Sequence, residues 1–119
     1  MRENIIKTKS FGFAIQIVNL NKQLCLEQKE FVLSKQILLS GTSVGAMVRE
    51  AEHAESKADF IHKNAIVQKE VNETIYWLEL LVATNYISKK LFEELNFKAI
   101  ELIKMLTSII KTAKGLNKP

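Results

Sequence analysis

Apolar residues recur at three- and four-residue intervals along almost the whole chain, and three short breaks interrupt them. That period is helical, since residues three and four apart share one face of an α-helix. The pattern predicts four helices, over about 5–26, 31–54, 57–86 and 89–114. The first stops in the polar stretch Glu27-Gln28-Lys29-Glu30. The third opens at Ser56-Lys57-Ala58-Asp59, where an N-cap hydroxyl precedes an acid in the first turn. Ser88 is placed to cap the fourth helix, and Gly115 to end it in the left-handed conformation. Long helices joined by short turns must fold back on one another. The expected architecture is therefore all-α, one antiparallel up-down-up-down four-helix bundle spanning 1–119.

The width of each apolar face carries further information. Helix four places Leu91, Leu95, Ala99, Leu102, Ile103, Leu106, Ile109 and Ile110 on one arc of about 120°, as a single-core bundle helix requires. Helix one is broader. Phe11, Ala14, Val18 and Cys25 lie on one side and Phe13, Ile17, Leu20 and Leu24 on another, an arc of roughly 200°. Helix two carries no charge from Ile37 to Val48 and is apolar nearly all round. In helix three, Phe60, Val67, Val71, Ile75, Leu78 and Val82 form the core stripe, with Ile66, Trp77 and Leu80 roughly opposite. A lone bundle has no place to bury so much apolar surface, and the surplus predicts a homo-oligomer. Phe13, Ile17, Ile66 and Trp77 are the interface or close-packing candidates; Trp77 either caps the core edge or anchors an interface, where Trp is enriched. Gly41 and Gly45, four apart in helix two, point to close approach of a neighbouring backbone or to a bend.

Composition narrows the class. The 119 residues are 47% hydrophobic and 25% charged, which suits a folded globular domain. A single cysteine, Cys25, excludes a disulfide framework within the chain and fits a reducing compartment. The first residues show no signal-peptide core and no run is long enough to span a bilayer, so a cytoplasmic, membrane-free protein is expected. The formal net charge of +4 is unevenly spread. Residues 1–24 hold four Lys/Arg against one acid and residues 88–119 seven against three, while the two middle quarters are slightly acidic.

An antiparallel bundle brings the start of helix one and the end of helix four together. That gathers Arg2, Lys7, Lys9, Lys104, Lys111, Lys114 and Lys118 on one basic rim, suited to a phosphate backbone bound without reading its sequence. Aromatic residues are scarce there, which argues against base-specific recognition. Catalytic constellations are weak. Glu50-Ala51-Glu52-His53 contains the E-x-x-H spacing of di-iron bundles, but the second such motif that this chemistry requires does not occur. Cys25 has no neighbouring His or cation to activate it. No metal, cofactor or enzyme activity is expected. Glu73, one turn before Trp77, is either solvated or paired with a cation such as Arg49.

Helices two and three also resemble a known family. Thr42-Ser43-Val44, then Glu50, then Ser56-Lys57-Ala58-Asp59-Phe60 and Glu73 follow the order seen in the four-helix bundle proteins named after 23S rRNA intervening sequences. The same order is similar to the accessory variability determinant of diversity-generating retroelements. Ser43, Glu50, Asp59, Phe60 and Glu73 are the motif positions. The family's Asn-Ile-Ala-Glu-Gly stretch stands here as Met47-Val48-Arg49-Glu50-Ala51, which keeps only the Glu and marks a divergent branch. The resemblance implies an up-down bundle assembled as a pentameric ring, without a known catalytic site and linked to RNA or nucleic-acid-handling partners. The expectation is thus a non-enzymatic homo-oligomer, a pentamer, whose basic rim binds RNA or DNA or a nucleoprotein. The alternative is a protein–protein scaffold with no nucleic-acid binding.

Overall fold

The computed structural model describes residues 2–116, with side chains from Ile5 onward. Four α-helices follow in order: α1 (Arg2–Gln28), α2 (Leu33–Ala51), α3 (Lys57–Ala83) and α4 (Lys89–Lys114). They form an all-α bundle in which α1–α2, α2–α3 and α3–α4 pack extensively and α1–α4 more sparsely. The molecule is elongated, 48 × 26 × 20 Å, as helices of 26 or 27 residues dictate.

Local chemistry sets the helix ends. Ser56 and Ser88 cap α3 and α4, their hydroxyls accepting from the amides of Asp59 and Leu91 at 3.0 Å. Gly115 closes α4 at φ 76°, with the Leu116 amide donating to the Lys111 carbonyl. Two further helices close the same way without glycine. Lys29 (φ 55°) and Asn85 (φ 67°) adopt the left-handed conformation, letting the amides of Glu30 and Tyr86 reach back to the carbonyls of Leu24 and Leu81. Accordingly α3 stops at Ala83, three residues short of the sequence pattern, and α1 runs on to Gln28. The last turn of α2 tightens, with His53 and Ala54 bonding to Glu50 and Ala51, so that helix too ends early. At its start, Glu30 does the capping: its carboxylate accepts from the amides of Val32, Leu33 and Ser34 at 2.7 to 3.2 Å.

The core is a set of four heptad seams. Buried positions recur in steps of three and four: 6, 10, 13, 17, 20 and 24 in α1, and 34, 37, 41, 44, 48 and 51 in α2, where Ser40 beside Gly41 is buried as well. In α3 they are 64, 67, 71, 74, 78 and 81, and in α4 95, 99, 102 and 106. A 3.5-residue repeat keeps each seam facing its neighbours and is the packing rule of left-handed bundles. In α1 the seam takes the Phe13–Leu24 side of the broad apolar arc. In α3 it is rotated from the expected stripe: Asn64, Thr74 and Leu81 are buried, while Phe60, Ile75 and Val82 are half-buried.

Close approach explains the small residues of α2. A Cβ at Gly41 would lie 2.8 Å from both γ-carbons of Ile17, so only glycine lets α1 and α2 meet there. At Gly45 the nearest atom would be the Ser10 carbonyl oxygen at 3.5 Å, an ordinary contact. Between α2 and α3, the buried Thr74 hydroxyl lies 2.9 Å from the Ser40 hydroxyl and 2.8 Å from the Glu70 carbonyl, either of which can accept its hydrogen, and Ser40 donates to the Ile37 carbonyl at 3.4 Å.

Candidate functional site

Being antiparallel neighbours, α1 and α4 bring Lys7 and Lys9 to the end of the bundle that also holds Lys111 and Lys114. Two of the lysines are engaged there. Lys7 pairs with Glu52 of α2 at 3.4 Å, and Lys9 with Glu101 of α4 at 3.2 Å. Lys104, Lys111 and Lys114 are exposed and take no ion pair from the described side chains. Lys111 and Lys114 occupy the last turn of α4, where cations suit the helix dipole. Lys104 sits ten residues before Lys114, about 15 Å further along the helix. Arg2 begins α1, but its side chain lies outside the described residues, as does Lys118 entirely.

One residue absent from the sequence-based set belongs with these lysines. Phe97 is 69% exposed, and positions 97, 104 and 111 share one face of α4 at seven-residue spacing. Ile100, also exposed, flanks them. The signal was present in the sequence: Phe97 falls off the Leu95-Ala99-Leu102 stripe and has Lys98 beside it.

A second surface runs along α1. Phe11 is 54% exposed and Ile15, four residues on, 48%. The half-buried Val18 continues their strip at i+7. The Arg49 guanidinium of α2 lies over the Phe11 ring, 5.5 Å from its centroid. Leu39 on α2 and Tyr76 on α3 are exposed as well. Phe13 and Ile17, by contrast, are wholly buried inside this chain's own core, which removes them from contact with any other copy. Ile66 and Trp77 are half-buried, and Trp77 packs against the core edge.

Of the motif positions shared with the resembled family, Asp59 holds the α2–α3 turn and the others lie within α2 or α3. Ser43 donates its hydroxyl to the Leu39 carbonyl at 2.7 Å. Asp59 accepts from the Glu55 amide at 3.1 Å and from Lys63 at 2.9 Å, which clasps the α2–α3 turn. Lys63 chiefly, and then that amide, hold the Asp59 carboxyl below its ordinary range. Phe60 is half-buried at the start of α3, and Glu50 is exposed at the end of α2. Glu73 accepts the Trp77 indole N–H at 3.2 Å, while Arg49 is turned to Phe11. Burial raises the nearby Glu70 carboxyl, and the charge of Glu73 adds to the rise. Among the described residues, no three of His, Cys, Asp and Glu gather as metal ligands would, and no helix is long and apolar enough to cross a membrane.

The family model described as 23S rRNA-intervening sequence protein matches residues 2–108. Among solved structures, a protein of unknown function from the S23 ribosomal protein family of Bacteroides thetaiotaomicron VPI-5482 is 58% identical and superposes with a TM-score of 0.92. That alignment covers 93% of this chain and 99% of the other. No curated protein matches. A match over almost all of the described chain, together with the four-helix bundle, places the protein in the 23S rRNA-intervening sequence protein family.

Proposed function

We propose that this chain is a non-enzymatic, homo-oligomeric bundle, pentameric as the resemblance implies, that offers a basic, partly aromatic face to the backbone of RNA or DNA. The observation that carries the reading is the α4 strip of Phe97, Lys104 and Lys111, which is exposed on the side of that helix away from the buried Leu95, Ala99, Leu102 and Leu106. Repetition of the strip around an oligomer would multiply weak phosphate contacts into useful affinity. The α1 strip of Phe11 and Ile15 supplies apolar surface for copies to cover. The family's name refers to 23S rRNA, and the solved relative's to a ribosomal protein family, both consistent with an RNA-bearing setting.

A specific observation favours the scaffold alternative. Lys7 and Lys9 are already neutralised by Glu52 and Glu101, which lowers the charge available to a polyanion. One pair of measurements separates the two. Light scattering should give a mass five times the 13.6 kDa of one chain. Titration of a single-stranded RNA oligonucleotide should show affinity falling steeply between about 50 and 200 mM salt. A multimer that binds neither RNA nor DNA at low salt leaves the scaffold reading; a single-chain mass removes the oligomer.

A further inference from the structure

At the end of the bundle that holds the start of α1 and the finish of α4, a cavity of about 170 Å³ opens between all four helices. Its walls are apolar: Ile6 from α1, Val48 from α2, Phe60 from α3 and Ile109 from α4. One polar group interrupts them. Asn64 occupies a seam position of α3, is only 4% exposed, and lines the cavity. Its amide nitrogen donates to the Phe60 carbonyl at 2.9 Å, one turn back on its own helix. Its amide oxygen accepts no hydrogen bond from the described residues. Because no fully buried side-chain polar atom among the described residues lacks a partner, that oxygen keeps access to open space, and the cavity provides it. A leucine at 64 would continue the Val67-Val71 seam and cost nothing in unmet hydrogen bonding. Core packing therefore gives no reason for the asparagine.

The remaining chemistry defines what would fit. Apolar walls penalise a charged guest. Glu52, at the cavity's edge, already has its carboxylate engaged by Lys7. The volume is close to that of engineered cavities of about 150 Å³ that take up benzene. We propose that this cavity is a binding site for a small, neutral, one-ring molecule bearing a single O–H or N–H donor. The ring sits among Ile6, Val48, Phe60 and Ile109, and the donor is accepted by the Asn64 amide oxygen.

The test uses the full chain, with phenol as probe and toluene as its counterpart of like shape without the donor. Amide resonances are followed by NMR during each titration. Phenol should shift amides in 48–52, 60–64 and 109–113 saturably, and bind about fivefold more tightly than toluene, the gain of one hydrogen bond. Asn64→Leu should erase that preference. Ala113→Leu, which fills the cavity from α4, should abolish binding of both probes while the circular dichroism of the bundle is retained. No saturable shift with phenol, shifts mapping elsewhere, or equal affinity for the two probes in the native chain would overturn the proposal. That native comparison decides the matter even if a variant does not fold.

Discussion

Gly41 and Gly12 occupy helices of the same bundle and have opposite reasons to be glycine. Gly41 faces Ile17 at a distance no side chain tolerates, whereas a Cβ at Gly12 would meet nothing within 4 Å. Gly41→Ala should therefore destabilise the chain by about 1 to 3 kcal/mol, the usual cost of overpacking. Gly12→Ala should stabilise it by about 0.5 to 1 kcal/mol, since alanine restricts the unfolded helix backbone more. Urea denaturation of the two variants checks both signs. Glu30 offers a pH-dependent counterpart. Burial raises its carboxyl pKa, but the amides of Leu33, Ser34 and Val32, with the Ser34 hydroxyl, outweigh it and leave the pKa below the ordinary 4.5. A carboxyl held lower in the folded chain than in the unfolded one contributes fully above the unfolded value, and loses that contribution as pH falls through the folded value. Glu30→Gln should cost about 1 kcal/mol near neutral pH, as loss of a helix cap does. The gap between variant and native midpoints should narrow once the pH drops below 4.5. A gap that stays constant down to pH 3 would mean that the charge of Glu30 does not cap α2.

Each helix has one seam and one outer face, and the outer faces differ in what they present. That of α4 carries Phe97 and Ile100 and then, towards its C-terminus, Lys104 and Lys111; that of α1 carries Phe11 and Ile15. If copies of the chain cover the α1 strip, replacing Phe11 and Ile15 together with Glu should reduce the mass measured by light scattering to a single chain. The bundle itself should survive, because neither side chain belongs to a seam. An unchanged mass would move the contact to Leu39, Tyr76 or Phe97. The broad apolar arc of α1 was visible in the sequence, but which half of it faces the core was not. Ser10 occupies a seam position and Phe11 does not, against their hydropathy, and the Ser10 backbone lies in ordinary contact range of Gly45.

For the molecule as a whole, the end-to-end distribution of charge matters more than the net +4. Lys7 and Lys9 pair with acids at the end of α2 and on α4, while Lys104, Lys111 and Lys114 are exposed without an ion pair among the described side chains. Replacing those three with Ala should lower RNA affinity at low salt and flatten the dependence of log affinity on log salt. Loss of three phosphate contacts with a single strand corresponds to a slope change of about 2. Replacing Lys7 and Lys9 should instead reduce thermal stability slightly, exposed pairs being worth under about 1 kcal/mol each, with little change in that slope. A triple variant whose salt dependence matches the native chain would place the binding face elsewhere.

The residue pattern by itself determined four helices, their order and their antiparallel folding. It also located the caps at Ser56, Ser88 and Gly115, since each depends on chemistry within a turn or two. The ends at Lys29 and Asn85 carry no glycine to mark them in the sequence, since there the carbonyls of the preceding helix offset the cost of a left-handed residue that carries a side chain. Only the tertiary structure decided which lysines are spent in pairs, that Trp77 leans on the core, that Phe97 is left outside, and that Asn64 opens onto a cavity. Those outcomes depend on the rotation of each helix about its axis. Contacts among all four helices set that rotation together, and no single stretch of sequence contains it.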